Sequence, residues 1–202
     1  MPSADLVNAT RTTTQLLDAL RDLKNEPVWA LFDARYRPVI QGLARRLGLD
    51  DEAAEEIAQQ TLSEFVRAYR DGRYDRERGR LSSWLLGIAH ITALKALRSR
   101  RGHAGNTALD AVPDESSLRL IWTEERDRAI LERALRVLRA ESDTDERTIL
   151  AFELVALRGV PASDAASQCG MSVEQVYVAK SRCTKRLRGL VEAMEVAFEE
   201  DA

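Results

Sequence analysis

Residues 160–189 constrain the fold of this chain more than any other stretch, because they carry the signals for two helices joined by a tight turn. Pro161 ends one helix, and residues 162–168 can form a short helix of their own. Gly170 can adopt the positive φ of a three-residue turn, and Ser172 is placed to cap the next helix. Apolar residues then recur every three or four positions. The stretch therefore predicts a short helix, a turn and a capped second helix.

The outward side of that second helix is basic. Between residues 172 and 190 the sequence has five lysines and arginines against one acid, Glu174. A basic helix that follows a short helix and a tight turn is typical of a helix-turn-helix, in which the second helix enters the major groove of DNA. An ordinary α-hairpin with a solvated basic face is the alternative, and this stretch alone leaves both interpretations open.

Composition favours an all-α protein of one or two small domains. The 202 residues are 45% apolar and only 5% aromatic, and the 10 glycines and 5 prolines are too few for a fold built from many turns. Residues 102–117, GHAGNTALDAVPDESS, lack helical periodicity and combine glycine, proline and small polar residues. We therefore predict an N-terminal domain over 1–101, a flexible linker over 102–117 and a C-terminal domain over 118–202.

Helical periodicity predicts four helices on each side of the linker. In the third helix, one side is apolar and the other carries acids and amides, which composition alone explains as a solvated face. A charged loop, 71–79, leads to a fourth helix whose interior pattern includes Trp84 and Ile91. The predicted helices are 12–23, 27–47, 51–69, 81–101, 118–140, 145–158, 162–168 and 172–198.

The sequence gives little support to several other classes of protein. The two cysteines and two histidines have no metal-ligand spacing, so no cofactor is expected, and Cys169 and Cys183 are expected to be reduced core residues. There is no signal peptide and no apolar run of membrane-spanning length, which predicts a cytoplasmic protein without membrane insertion. An enzyme, such as a hydrolase using His90 or His103, would need a nucleophile, base and acid set that the sequence does not offer.

Four stretches, in this order, resemble the sigma-70 family, and specifically its small two-domain extracytoplasmic-function (ECF) group. Residues 32–40 are similar to the family's first conserved helix and residues 54–62 to part of its second. Residues 78–90 resemble its loop followed by a W-L-x-x-I-A helix, and residues 172–188 its recognition helix. The stretches read FDARYRPVI, AEEIAQQTL, RGRLSSWLLGIAH and SVEQVYVAKSRCTKRLR, and the likeness extends over about residues 12–194.

The resemblance implies an all-α fold, with a four-helix domain of the sigma region 2 type and a helix-turn-helix domain of the sigma region 4 type. It implies a promoter-specificity subunit without enzymatic activity, whose partners are core RNA polymerase and promoter DNA. An anti-sigma factor is a further partner in the family, although no residue here identifies one. The alternative is a transcription regulator that binds duplex DNA through its helix-turn-helix without polymerase.

In the N-terminal half the resemblance implies two surfaces. Acids and amides on the third helix would dock on a basic coiled coil of polymerase. The charged loop and fourth helix would read the minus-ten element as a melted strand, with Tyr74 as the stacking residue and Trp84 in the core. The family often has Asn where this chain has Ile91 and Asp or Asn where it has Lys95, which puts hydrogen-bond readout there in doubt. The polymerase-binding residues are Glu55, Glu56, Gln59 and Gln60, and the minus-ten residues are Tyr74, Asp75, Arg80, Leu81, Ser82, His90, Lys95 and Arg98.

In the C-terminal half the resemblance implies a reader of the minus-thirty-five element as duplex. Tyr177 and Val178 would contact thymine methyl groups, and Arg182 a guanine or a phosphate. The predicted contact residues are Ser172, Gln175, Tyr177, Val178, Ser181, Arg182 and Lys185.

Overall fold

The computed structural model describes residues 13–20, 22, 25–104, 113–140 and 145–198. Within these ranges the chain forms eight α-helices and no strand, so the predicted all-α class is confirmed. Contacts divide the described residues into two compact units between Ala129 and Ile130. The helices are α1 Thr13–Leu20, α2 Glu26–Arg46, α3 Asp51–Arg70, α4 Leu81–Ala104, α5 Glu115–Ala140, α6 Glu146–Phe152, α7 Ala162–Cys169 and α8 Val173–Phe198.

Local signals in the sequence explain where α2 ends and α3 begins. Gly48, with φ 92°, separates α2 from α3. The carboxylate of Asp50 then caps α3 by accepting a hydrogen bond of 2.9 Å from the amide of Ala53, and Asp51 adds negative charge at the same end. The strongest packing between helices of this unit lies between α2 and α3, and α4 packs next on α3.

Aromatic side chains fill the centre of the first unit. The rings of Phe32 on α2 and Phe65 on α3 are stacked with centroids 4.6 Å apart. Trp84 of α4 meets Phe65 edge to face at 5.5 Å, and Tyr36 is buried beside Phe32 at 4.7 Å. Aromatic pairs of this kind add to the free energy of burial and fix the three helices in one register.

The second unit has two adjoining apolar clusters. Residues 130–140 of α5, α6 and α8 share one cluster, which includes Phe152 and Cys183. The other joins α6, α7 and the first turns of α8 and includes Cys169 and Val176. Both cysteines are buried and free, as predicted, and burial raises the pKa of the Cys183 thiol while the nearby charge of Arg186 lowers it by less.

The winding of the chain changes after α6. A single helix over 145–158 is predicted, but the α-helix ends at Phe152 and continues as a π-helical segment, Glu153–Leu157. Gly159, with φ 68°, then turns the chain towards α7. The π segment has a partner on α5, because Arg139 donates a hydrogen bond of 2.6 Å to Glu153. Irregular hydrogen bonding of this kind is not visible in apolar periodicity.

The predicted linker, 102–117, is helical at both of its described ends. α4 continues to Ala104, and α5 begins at Glu115, where Asp114 caps it by accepting the amide of Ser117 at 2.8 Å. Residues 105–112 of that prediction, like both ends of the first predicted helix, lie outside the described residues. Contacts group residues 113–129 with the first unit, and the domain boundary at 102–117 stays a prediction.

Candidate functional site

The first unit has an open cavity of about 350 Å³ at the start of α4. The charged loop after α3 forms one side, and the first turn of α4 forms the other. Three of the predicted minus-ten residues, Tyr74, Asp75 and Arg80, lie on its walls. The lining residues are Arg73, Tyr74, Asp75, Arg78, Gly79, Arg80, Ser83 and Trp84.

An aromatic stack forms one wall of this cavity. The rings of Tyr74 and Trp84 are nearly parallel, with centroids 5.1 Å apart and 15° between their planes. Trp84 also meets Phe65 in the core, so the stack is anchored to the interior of the unit. The sequence predicts Trp84 as core and Tyr74 as the stacking residue. In the structure Trp84 packs on Phe65 and also lines the cavity beside Tyr74. An unpaired base would therefore meet an aromatic wall that is held in place before binding.

The remaining lining is mainly cationic. Arg73, Arg78 and Arg80 contribute guanidinium groups, and Asp75 is the one acid among the lining residues. Arg73 is paired with Asp71 at 2.7 Å, while one oxygen of Asp75 accepts the amide of Glu77 at 2.9 Å. Guanidinium groups beside an aromatic wall suit a nucleotide, because they bind phosphate oxygens while the ring stacks on the base.

Leu81 and Ser82, which are also predicted minus-ten residues, do not line the cavity. Leu81 is fully buried, and Ser82 is not among the lining residues; Ser83 takes that place. Arg73, Arg78 and Ser83 were missed by sequence reasoning. Ser83 had a usable signal, since it follows Arg80 by three residues in the helical register.

A strip of exposed side chains continues along α4 from the cavity. Lys95 and Arg98 are exposed on the turns that follow Ser83. The interior position predicted for Ile91 is wrong, because Ile91 is 56% exposed and lies on this strip. His90 is half-buried, with an Nε2 atom that has no hydrogen-bond partner among the described residues, and burial lowers the pKa of its imidazole.

A shallow depression runs along the outer face of α3. It is lined by Glu56, Gln59 and Gln60, and the side-chain amide of Gln60 donates a hydrogen bond of 2.9 Å to the carboxylate of Glu56. Ser63, Glu64 and Arg67 extend the depression by two helical turns and were not predicted. All of these side chains stand on one rigid helix, so they present a fixed pattern of acids and amides to a partner.

Glu55, the fourth predicted polymerase-binding residue, is engaged within the first unit. Its carboxylate accepts hydrogen bonds from Arg37 and Gln41 of α2 and does not line the depression. One residue of difference on a helix turns a side chain by about 100°, which separates Glu55 from Glu56.

In the second unit the predicted turn geometry is present. α7 ends at Cys169, Gly170 adopts the left-handed conformation with φ 62° and ψ 39°, and α8 begins at Val173. Ser172 and Gln175 form a reciprocal cap: the amide of Gln175 donates to the Ser172 hydroxyl at 3.2 Å, and the amide of Ser172 donates to the Gln175 side chain at 2.8 Å. These two residues, predicted as DNA contacts, therefore orient the start of α8.

The other five predicted minus-thirty-five residues are exposed on α8. Tyr177 and Val178 are 57% and 48% exposed, although both are large and apolar in part. Ser181, Arg182 and Lys185 are also exposed, and neither basic residue forms an ion pair within the described part of the chain. Val176, Ala179 and Cys183 point the opposite way, into the core. These five residues thus share the solvent-facing side of α8.

The described residues hold neither a candidate metal site nor a candidate membrane span. Nowhere in the described ranges do three His, Cys, Asp or Glu side chains lie close enough to hold a metal ion. None of the helices there combines the length and apolar character that crossing a membrane requires.

A family model matches part of the chain. Residues 32–103 match the family model for sigma-70 region 2, which spans most of α2, all of α3, the cavity loop and nearly all of α4. No curated protein matches the chain. The matched segment contains both the cavity with the Tyr74–Trp84 stack and the depression on α3. Residues 32–103 are therefore similar to sigma-70 region 2, and this match supports a general role as a sigma factor in promoter recognition by RNA polymerase.

Proposed function

We propose that this chain is a sigma factor of the ECF group that has no enzymatic activity of its own. It binds core RNA polymerase through the depression on α3, holds an unpaired base of the minus-ten element in the cavity, and reads the minus-thirty-five element with α8. The observation that carries the proposal is the aromatic and arginine-rich cavity, which lies inside the segment that matches sigma-70 region 2.

The cavity supports capture of a base from a melted strand. A base that leaves the duplex loses stacking, which costs a few kcal/mol. Stacking on an aromatic side chain returns about 1–3 kcal/mol per base, and the Tyr74–Trp84 pair provides such a surface without rearrangement. Arg78 and Arg80 then attract the phosphates on either side. We propose the exposed Lys95 and Arg98 as phosphate contacts for the continuing strand.

The exposed side of α8 supports duplex recognition. A helix fits the major groove, where thymine methyl groups and guanine acceptors are accessible. Tyr177 and Val178 offer apolar surface to methyl groups, and Arg182 offers a guanidinium that can bind guanine in bidentate fashion. The Ser172–Gln175 cap fixes the first turn of the helix, so these side chains are presented at a defined angle.

The proposal is tested by transcription in vitro with purified core polymerase. We expect initiation from a small set of promoters only when both the chain and core polymerase are present. Tyr74→Ala should reduce open-complex formation on duplex promoters and have a smaller effect on templates that are already melted over the minus-ten element. Strong sequence-specific duplex binding without polymerase, together with no selective initiation, would instead favour a helix-turn-helix regulator.

The polymerase surface has its own test. Glu56→Lys reverses a charge in the depression on α3, and we expect it to weaken core binding at least tenfold. Glu192→Lys makes the same change of formal charge at an exposed position of α8 and serves as the matched control. Equal loss of core binding in both variants would show that net charge, and not the α3 surface, controls the interaction.

A further inference from the structure

The first half of α5 has a buried side of its own. Leu118, Trp122 and Glu125, spaced by four and three residues, are each only 5–6% exposed. This spacing places them on one face of the helix. Contacts group them with the first unit, although the sequence assigned them to the second domain. We call residues 118–129 the clasp segment.

The clasp segment meets α2 at a glycine. A Cβ atom on Gly42 would lie 2.6 Å from Cδ and 2.8 Å from Cγ of Glu125, and closer still to Oε2. The Glu125 side chain therefore occupies space that any other residue at position 42 would fill. Glycine inside a helix is unfavourable by itself, so its presence one turn before the end of α2 fits a requirement for close approach.

Polar contacts fix the clasp segment in one register. Arg46, one turn beyond Gly42, pairs with Glu124 at 2.6 Å. Glu125 is buried, and the nearest guanidinium nitrogen of the exposed Arg128 lies a long 3.7 Å from its carboxylate. Burying a carboxylate with such weak compensation lowers stability. The same acid also disfavours any shifted docking of the segment in which it would meet apolar surface.

We propose that the clasp segment packs against α2 at Gly42 and thereby fixes the point at which the chain leaves the first unit. This exit point sets the number of base pairs that the protein accepts between the minus-ten and minus-thirty-five elements. This inference rests on the proposed function, in which one unit reads the minus-ten element and the other the minus-thirty-five element. Gly42, Glu125 and Trp122 are then positioning residues, which touch neither DNA nor polymerase.

Hydrogen exchange on the full chain tests the docking without reference to DNA. Gly42→Leu should raise the exchange rates of amides 118–129 at least tenfold, because leucine takes the space of the Glu125 side chain. Gly87→Leu is the control, since Gly87 is a helical, exposed glycine of the same unit, and a Cβ atom added there would have no neighbour within 4 Å. Unchanged exchange in Gly42→Leu would overturn the inference.

A suppressor distinguishes close approach from general instability. Gly42→Ala should also raise exchange in the clasp segment, and adding Glu125→Ala should restore protection, because the three atoms nearest to the new Cβ all belong to Glu125. Failure of Glu125→Ala to restore any protection would mean that the clash at Gly42 does not control docking.

Promoter spacing is the functional readout. A promoter used by the wild-type chain is varied in single base-pair steps between its two elements, and transcription is measured with core polymerase. We expect a narrow optimum for the wild type, a broadened optimum for Gly42→Leu, and a return towards the narrow one for Gly42→Ala with Glu125→Ala. Identical spacing profiles would refute the clasp inference, whereas no selective transcription by the wild type would refute the proposed function itself.

Discussion

Two glycines of the second unit should respond in opposite directions to the same substitution. Gly170 has φ 62° and ψ 39° between α7 and α8, whereas Gly189 lies within α8 and is exposed. Apart from the adjacent residues and the local backbone of the helix, no atom lies within 4 Å of an added Cβ at either position. Sterics with neighbouring side chains are therefore equal in the two cases, and backbone conformation alone decides the outcome.

The expected magnitudes follow from that conformation. Alanine in the left-handed region costs about 1–2 kcal/mol, partly offset by a smaller loss of entropy on folding, so Gly170→Ala should destabilise the unit by about 1 kcal/mol. Alanine in a helix interior is favoured over glycine by about 0.8–1.0 kcal/mol, so Gly189→Ala should stabilise it by a similar amount. The two variants should differ by about 2 kcal/mol, which is about 30-fold in an opening equilibrium.

Native-state hydrogen exchange measures this difference directly. The most protected amides of α8 report the free energy of opening of the second unit, because they exchange only when it unfolds. We expect their protection to fall in Gly170→Ala and to rise in Gly189→Ala, relative to the wild type. Equal shifts of the same sign in both variants would contradict the assigned left-handed conformation and with it the turn that orients α8.

Three further predictions concern the capping box, the phosphate contacts and a titrating group. Ser172→Ala removes half of the reciprocal cap and should lower the stability of the second unit by about 1 kcal/mol in the same exchange experiment; no change would mean that the cap is not formed in solution. Lys185→Ala should reduce the log–log salt dependence of promoter binding by holoenzyme by about 0.9 if Lys185 contacts a phosphate, and an unchanged slope would exclude that contact. Burial lowers the pKa of His90, so the unfolded state binds the proton first as the pH falls through about 6.5. The stability of the first unit should therefore decrease from pH 7.5 to 5.5, and His90→Gln should remove part of that dependence; identical pH profiles in urea denaturation would refute it.

Local signals in the sequence predicted the helices and the turn before α8 well. Pro161, Gly170 and Ser172 act within a few residues, so the sequence alone locates the end of one helix and the start of the next. The role of Gln175 could not be predicted in the same way. The sequence predicts it as a DNA contact, whereas in the structure its side chain accepts a hydrogen bond from the backbone amide of Ser172. The same residue type serves either purpose, and only the geometry distinguishes them.

Features that depend on tertiary contact could not be predicted. A buried acid such as Glu125 contradicts the usual pattern, and its site exists only because α2 offers Gly42 opposite to it. Glu55 and Glu56 are adjacent acids in the sequence. In the structure Arg37 and Gln41 donate hydrogen bonds to Glu55, whereas Glu56 lies on the outer face of α3. The sequence predicts Ile91 as an interior residue because it is apolar. In the structure it is exposed and belongs to the strip of α4 side chains that begins at the cavity.

The central claim is that this chain makes core polymerase select promoters, with the cavity at Tyr74 and Trp84 holding a base of the melted strand. Replacement of single bases in the non-template strand by 2-aminopurine, followed by fluorescence during open-complex formation, tests it directly. We predict that one minus-ten position becomes unstacked from its neighbours only with both core polymerase and the chain, and that Tyr74→Ala abolishes this signal while core binding is retained. A signal that is the same with Tyr74→Ala, or one that appears with core polymerase alone, would contradict the account.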